Sequence, residues 1–268
     1  MKRVAFPTVT EDLAPAELEM PLGGVTLRGT SVAARATAFT LPDLGVALDM
    51  GRMSPSLAAQ PVVLLSHGHL DHLSGILAYL NVRVRFHAKQ PPRVVAPLEV
   101  AEPLRQALAV MPGMESVRKR VRLEDVIVGV EAGDTVGVPG GSATAFALDH
   151  GVPSLGWSLC RSGIARPCLA YAADGTVEPF QADPRLLDAG VAIVECTFLE
   201  KNRRIAARMA RHAHILDWIG LAPRLTCDHL VLAHLPPLGA DDLLRLTSPL
   251  AEAFRGNLVL WAPRSQFR

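Results

Sequence analysis

Aromatic side chains are scarce in this chain of 268 residues, at 5%. That argues against the stacking platforms with which many proteins grip single-stranded nucleic acid. Cysteine is scarcer still. Cys160, Cys168, Cys196 and Cys227 form no Cys-x-x-Cys pair and no regular framework, so reduced thiols in a cytoplasmic protein are expected. Charge imbalance is nearly absent too. A net charge of +1 supplies no bulk attraction to nucleic acid or membrane. No apolar run reaches the roughly 18 residues of a membrane span. The start, Met1 to Pro7, lacks a long apolar stretch and soon meets Glu11 and Asp12, so no signal peptide is expected.

What is present is a chain with 49% hydrophobic residues, enough for a large core. Residues 1–20 read as a loosely packed lead-in. Val25 to Met50 carries short β-rich runs broken by Gly and Pro, and Gly45 to Gly51 looks like a strand ending in a tight turn. Pro61 to Leu65 reads as a buried strand, Leu73 to Leu80 as helical, and Arg93 to Ala96 as another strand. Glu102 to Met111 reads as a helix with Pro103 in its first turn. From Val121 to Cys160 strands dominate, with turns at Glu131–Asp134 and Pro139–Ser142. Strands follow at Leu169 to Ala173, Val191 to Glu195, His229 to Ala233 and Leu258 to Trp261. Helices are expected over Ile205 to Ile219 and Ala240 to Phe254. Two packed sheets with helices outside use this order economically, as one domain over 1–268 in two halves.

The densest chemistry lies in Ser66-His67-Gly68-His69-Leu70-Asp71-His72-Leu73-Ser74-Gly75. His67, His69, Asp71 and His72 fall on the loop between a strand and a helix. Imidazole nitrogens and a carboxylate converging there suit zinc. His150 follows the strand Ser142 to Leu148, Asp174 ends Leu169 to Ala173, and His234 ends Leu230 to Ala233. An ordinary turn residue is the plain alternative for each. Yet all three stand where an apolar strand stops, as the first cluster does, and strand ends along one sheet edge converge in space. The ligand count becomes His67, His69 and His150 on one ion, Asp71, His72 and His234 on a second, with Asp174 bridging. Two ions that hold a shared water and clamp an attacked group suit hydrolysis, and phosphodiester cleavage uses all of this.

Glu195 ends the strand Val191 to Val194, and His212 and His214 follow on the expected helix. Two positions apart, they face roughly 200° from each other, so only one readily points at the site. A His–Glu pair can keep an imidazole protonated to stabilise phosphoryl charge or protonate a leaving oxygen. His87 and His229 read as structural. Basic residues cluster at Arg83 and Arg85, at Arg118 to Arg122, and at Lys201, Arg203, Arg204, Arg208 and Arg211. Solvated faces account best for the first two, while the third lies beside His212.

The His67-x-His69-x-Asp71-His72 pattern resembles that of the metallo-β-lactamase superfamily, and more narrowly of ribonuclease Z, the endonuclease that matures tRNA 3′ ends. Asp149-His150-Gly151-Val152-Pro153-Ser154-Leu155-Gly156-Trp157 resembles the segment around that family's third zinc histidine. Glu195-Cys196-Thr197-Phe198 resembles its Glu-Ala-Thr-Phe motif. The spacing onward to His212 and His234 is similar, and it selects His212 over His214. Leu48-Asp49-Met50-Gly51-Arg52 resembles the turn before the metal loop in short plant-type members. The resemblance covers the chain from about Leu22 onward. It implies an αββα sandwich of two mixed sheets flanked by helices, two zinc ions (Zn2+, with Mn2+ an alternative), Asp71 near the nucleophilic water, a Glu195–His212 pair assisting at the phosphate, and a homodimer.

The chain departs from the family between Gly151 and Ala173, which leave room for two strands and a turn but no tRNA-gripping arm. It departs again at Leu235-Pro236-Pro237-Leu238, where the family carries an arginine and a tyrosine. The expectation is a metal-dependent phosphodiester hydrolase of ribonuclease Z type, acting on RNA. The alternative is an arm-less phosphodiesterase for small cyclic or nucleotide diesters, as in phosphonate-utilisation relatives. Carboxylic ester or lactone hydrolysis is more distant, and a metal-bound scaffold without turnover is the non-enzymatic rival.

Overall fold

A run such as Val191-Ala192-Ile193-Val194 has no polar face, and it becomes a strand buried on both sides. Val191 and Ile193 point into an apolar layer between two sheets, while Ala192 and Val194 point outward beneath helices. The strands of the metal-loop half repeat this, with Val62 and Leu64 inside and Val63 and Leu65 outside. Each such Val, Leu or Ile side chain contributes about 1.5–3 kcal/mol on burial. Three apolar layers result, one between the sheets and one on the outer face of each.

The structure, a computed structural model, describes residues 17–87 and 89–262 together with the backbone of two short strands, β1 (Val4–Ala5) and β2 (Thr8–Val9). Most of the lead-in expected over 1–20 therefore lies outside the described residues. One eight-stranded sheet follows chain order from β2 through β3 (Leu18–Leu22), β4 (Val25–Val32), β5 (Ala36–Leu41), β6 (Val46–Leu48), β7 (Val62–Leu64) and β8 (Arg93–Pro97) to β9 (Ile127–Val130). It is antiparallel from β2 to β6 and parallel from β6 to β9. The other eight-stranded sheet contains β10 (Thr135–Val138), β11 (Gly141–Ala147), β12 (Leu155–Arg161), β13 (Leu169–Ala172), β14 (Val191–Glu195), β15 (His229–Ala233) and β16 (Asn257–Leu260), with β1 on the outer edge of β16. It is antiparallel from β10 to β13 and parallel beyond. Two mixed sheets with helices outside form the metallo-β-lactamase sandwich.

The turn expected at Glu131–Asp134 is present, and there the chain crosses from β9 in one sheet to β10 in the other. Two expectations change. Pro103 sits inside a helix that starts earlier, at Leu98, and runs to Val110. The helix expected over Ile205 to Ile219 is two helices, Arg204–Ala210 and Ile215–Leu221. Arg211 takes a left-handed backbone (φ 53°) and ends the first of them. Residues 151–173 form β12 and β13 as an antiparallel pair within the sheet, with no projecting arm.

Candidate metal centre and active site

Every expected ligand lies at the end of a strand or just beyond it. His67 and His69 follow β7, and Asp71 and His72 form the short helix Leu70–Leu73. His150 follows β11, Asp174 follows β13, Glu195 ends β14 and His234 follows β15. The turn after β6 supports the metal loop at very close range. Met50 N–H donates to the His72 carbonyl at 2.7 Å, and Gly75 N–H donates to the Met50 carbonyl at 2.7 Å. A Cβ on Gly51 would lie 1.8 Å from the Asp71 carbonyl oxygen, so only glycine fits.

Ligand atoms of His67, His69, His150 and Asp174 all lie within 4.8 Å of one another, as do those of Asp71, His72 and His234. These are the two expected groups. Asp174 stands between them. Its Oδ1 faces His72 Nε2 at 3.3 Å, and its Oδ2 faces His234 Nε2 at 3.5 Å and His150 Nε2 at 3.8 Å. His72, His150, Asp174 and His234 are buried, as is His67, while His69 is exposed and Asp71 half-buried.

The hydrogen bonds behind the histidines fix which ring nitrogen faces the centre. Ser66 O–H donates to Asp49 Oδ2 at 2.8 Å, which leaves its oxygen to accept from His67 Nδ1 at 2.9 Å. His72 Nδ1 donates to Asp49 Oδ2 at 2.7 Å. His150 Nδ1 donates to the Arg211 carbonyl at 3.4 Å. Thr197 O–H donates to Glu195 Oε2 at 2.8 Å and so accepts from His234 Nδ1 at 2.9 Å. In all four, Nδ1 donates outward and Nε2 turns inward, the ring orientation of a metal-ligating imidazole, which binds once Nε2 gives up any proton. His67 Nε2, His72 Nε2 and Asp174 Oδ1 are buried and have no hydrogen-bond partner. His150 Nε2 and His69 Nδ1 face each other at 3.2 Å, a pairing that calls for a shared proton or a cation. Buried orphaned lone pairs cost free energy unless something binds them, and this donor set of nitrogen and carboxylate oxygen fits divalent zinc.

Protonation follows from the same geometry. Burial, aided by His72, pushes His67 down to about 2 and keeps it neutral. His150 is also lowered by burial. Burial works against a charged His72, but the carboxylates of Asp174 and Asp49 outweigh it and raise its pKa well above the usual value. Burial would raise Asp71, yet the His234 hydrogen bond and the charges of His72 and His234 bring it to about 2.

The helix-facing argument for His212 and His214 does not survive the broken helix. His212 lies on the connection between the two helices, where its Nδ1 donates to Glu195 Oε1 at 2.8 Å. Glu195 also accepts from Ala213 N at 2.8 Å and Thr197 N at 2.9 Å, which fixes its carboxylate. Burial opposes a charged His212, but the hydrogen bond and charge of Glu195 raise its pKa. His212 also groups with Asp174 and His234 within 4.8 Å. His214 instead caps the helix Ile215–Leu221. Its Nδ1 accepts from Leu216 N at 3.1 Å, its Nε2 donates to the Glu200 carbonyl at 2.9 Å, and Asp217 completes the capping box.

Asp49 is the residue whose part was missed. Wholly buried with φ 57°, it accepts from Ser66 N, Ser66 Oγ and His72, and from the Tyr171 hydroxyl across the sheet interface at 2.5 Å. Its position at the end of an apolar strand, like every ligand, was the available signal. The basic clusters separate clearly. Arg83 is buried and donates to the carbonyls of Ala58 and Ala59, and Arg118 donates to those of Leu108 and Met111, so both serve the fold. Lys201, Arg203, Arg204, Arg208 and Arg211 are exposed, and Arg204 and Arg208 line a cleft together with His212. Among the described residues no helix is long and apolar enough to cross a membrane.

Comparison with known proteins agrees with this geometry. The sequence profile of the "Beta-lactamase superfamily domain" matches residues 41–235. The chain is 27% identical over 248 residues to "tRNase Z TRZ2, chloroplastic" of Arabidopsis thaliana, covering 80% of this chain and 68% of that one. It is 25% identical to "tRNase Z TRZ1" of the same plant, covering 80% and 86%. Among solved structures, the metallo-beta-lactamase fold protein YhfI of Bacillus subtilis superposes with a TM-score of 0.63 at 16% identity, covering 86% of this chain and 92% of that one. Human tRNase Z, short form, superposes with 0.57 at 18% identity, covering 77% and 90%. With most of its length matched by that profile, the chain belongs to the beta-lactamase superfamily.

Proposed function

We propose that this protein is a metal-dependent phosphodiester hydrolase of the ribonuclease Z-like kind, with two zinc ions held by His67, His69, His150, Asp71, His72 and His234 and shared by Asp174. The observation that carries this reading is the convergence of ligand atoms in two groups with the Asp174 carboxylate between them. When bound, a pair of divalent ions supplies an acidified water and neutralises charge on the phosphate. Asp71, held ionised and half-exposed, would help to hold the ions and orient that water. Protonated His212, steadied by Glu195, stabilises phosphoryl charge and protonates the leaving oxygen.

Small diesters are a second reading, favoured by one observation. Residues 151–173 form the antiparallel pair β12 and β13 with short connections, and no projecting arm to hold an RNA elbow. Bis-p-nitrophenyl phosphate with added zinc or manganese tests the reaction class, and release only with metal is expected. No metal-dependent release favours a scaffold. Precursor tRNA beside a cyclic nucleotide then separates the two substrates.

A further inference from the structure

A cleft of about 610 Å³ opens beside the metal centre, and His212 belongs to both. Its walls come from the helix Arg204–Ala210 and the segment after Asp174. That volume falls in the range of small-ligand sites, where mostly apolar walls carry a few polar groups that fix orientation. Ile205 and Val177 supply apolar wall, and Thr176 a hydroxyl that lacks any hydrogen-bond partner.

The cations nearby are not equivalent. Arg204 pairs with Asp217 at 3.5 Å, Arg211 with Asp149 at 3.2 Å, and Arg203 lies over the Phe198 ring at 5.8 Å. Arg208 lines the cleft, and among the described residues its guanidinium has no ion-pair or hydrogen-bond partner. Glu178 and Asp217 also line it; Asp217 is engaged by Arg204 and by the His214 backbone. A guanidinium on a nucleotide-sized cleft offers a planar fork that matches a phosphate.

We propose that Arg208 is a specificity residue for a second phosphate, one linkage away from the phosphate being cleaved, and that the cleft holds the nucleotide unit joining the two. This rests on the phosphodiesterase reading and narrows it to substrates with more than one phosphate, such as oligonucleotides.

The test uses the metal-loaded protein and its R208A and R208K variants. The dinucleotide UpU carries one phosphate, and pUpU and UpUp carry two. Wild type is expected to favour one two-phosphate form over UpU by about tenfold in kcat/KM, the scale of one charge-assisted contact. R208A should abolish that preference, R208K should keep part of it, and both should hydrolyse bis-p-nitrophenyl phosphate within about twofold of wild type. An equal loss by R208A on every substrate, or no preference in wild type, overturns the proposal. Calorimetric binding of the same dinucleotides is read in parallel. If wild type leaves bis-p-nitrophenyl phosphate intact, the hydrolase reading fails by itself, while tighter binding of a two-phosphate form that R208A removes still supports the subsite and equal binding overturns it.

Discussion

His72 donates its Nδ1 proton to the Asp49 carboxylate across 2.7 Å, and that bond aims His72 Nε2 at Asp174. Asp49 lies on the turn after β6, and through Ser66 it also sets the ring of His67. One carboxylate thus orients a histidine from each proposed ion site. Asp49→Asn keeps the size but turns an acceptor into a donor at one end. Zinc affinity should fall by about 10–100-fold, the usual cost of losing such a partner. Competition with a chromogenic chelator measures it, and unchanged affinity would show that Asp49 serves the fold alone.

His212 and His214 should separate by the kind of damage they suffer. H212A removes the group proposed to face the phosphate, so kcat should fall by about 10²–10⁴ with metal content kept. H214A removes a helix cap and should cost about 1 kcal/mol of stability while kcat holds. Steady-state kinetics and thermal melts on both variants check the assignment; the reverse pattern would exchange their roles.

Metal-free protein should be most stable near pH 6.5. The lowered pKa values of His67 and His150 mean that the unfolded chain binds protons the folded one refuses, so stability rises with pH up to the ordinary histidine value of 6.5. The raised values of His72 and His212 act in the opposite window. Their contribution is whole below 6.5 and is lost as pH climbs through their folded values. Zinc competes with protons at these nitrogens, so its stabilisation should grow with pH. Melts between pH 5 and 9, with and without chelator, measure both trends (roughly the histidine range).

G51A should be severe although it adds one methyl group, because that methyl meets the Asp71 carbonyl at 1.8 Å. Overpacking of this kind costs about 1–3 kcal/mol or more, and relief requires the metal loop to move. Both the melting temperature and zinc affinity should drop. A loss of stability with intact zinc affinity would mean that the loop relaxes without disturbing its ligands.

The convergence of the candidate ligands was legible because chemistry and topology coincide in it. His67, His69, Asp71 and His72 are close in sequence, and His150, Asp174 and His234 each end an apolar run. The strands β11, β13, β14 and β15 run the same way, so their ends gather on one edge of the sheet. The break at Arg211 was not legible, since the apolar spacing from Ile205 to Ile219 continues through it and neither Gly nor Pro marks it. Only Asp217, three residues after His214, hinted at a new helix start. The crossing between β9 and β10 escaped for another reason: a four-residue turn looks alike whether its strands pair together or leave for separate sheets. Asp49 was visible as a strand-end carboxylate, but its partners Ser66, His72 and Tyr171 come together only in the folded chain.

Metal content is the most direct measure of the central claim. Wild type and D174A, stripped with chelator, reloaded with zinc and desalted, are analysed for ions per chain. Two ions in wild type and fewer in D174A are the predicted result. Wild-type protein that retains none would contradict a metal centre built from His67, His69, Asp71, His72, His150, Asp174 and His234.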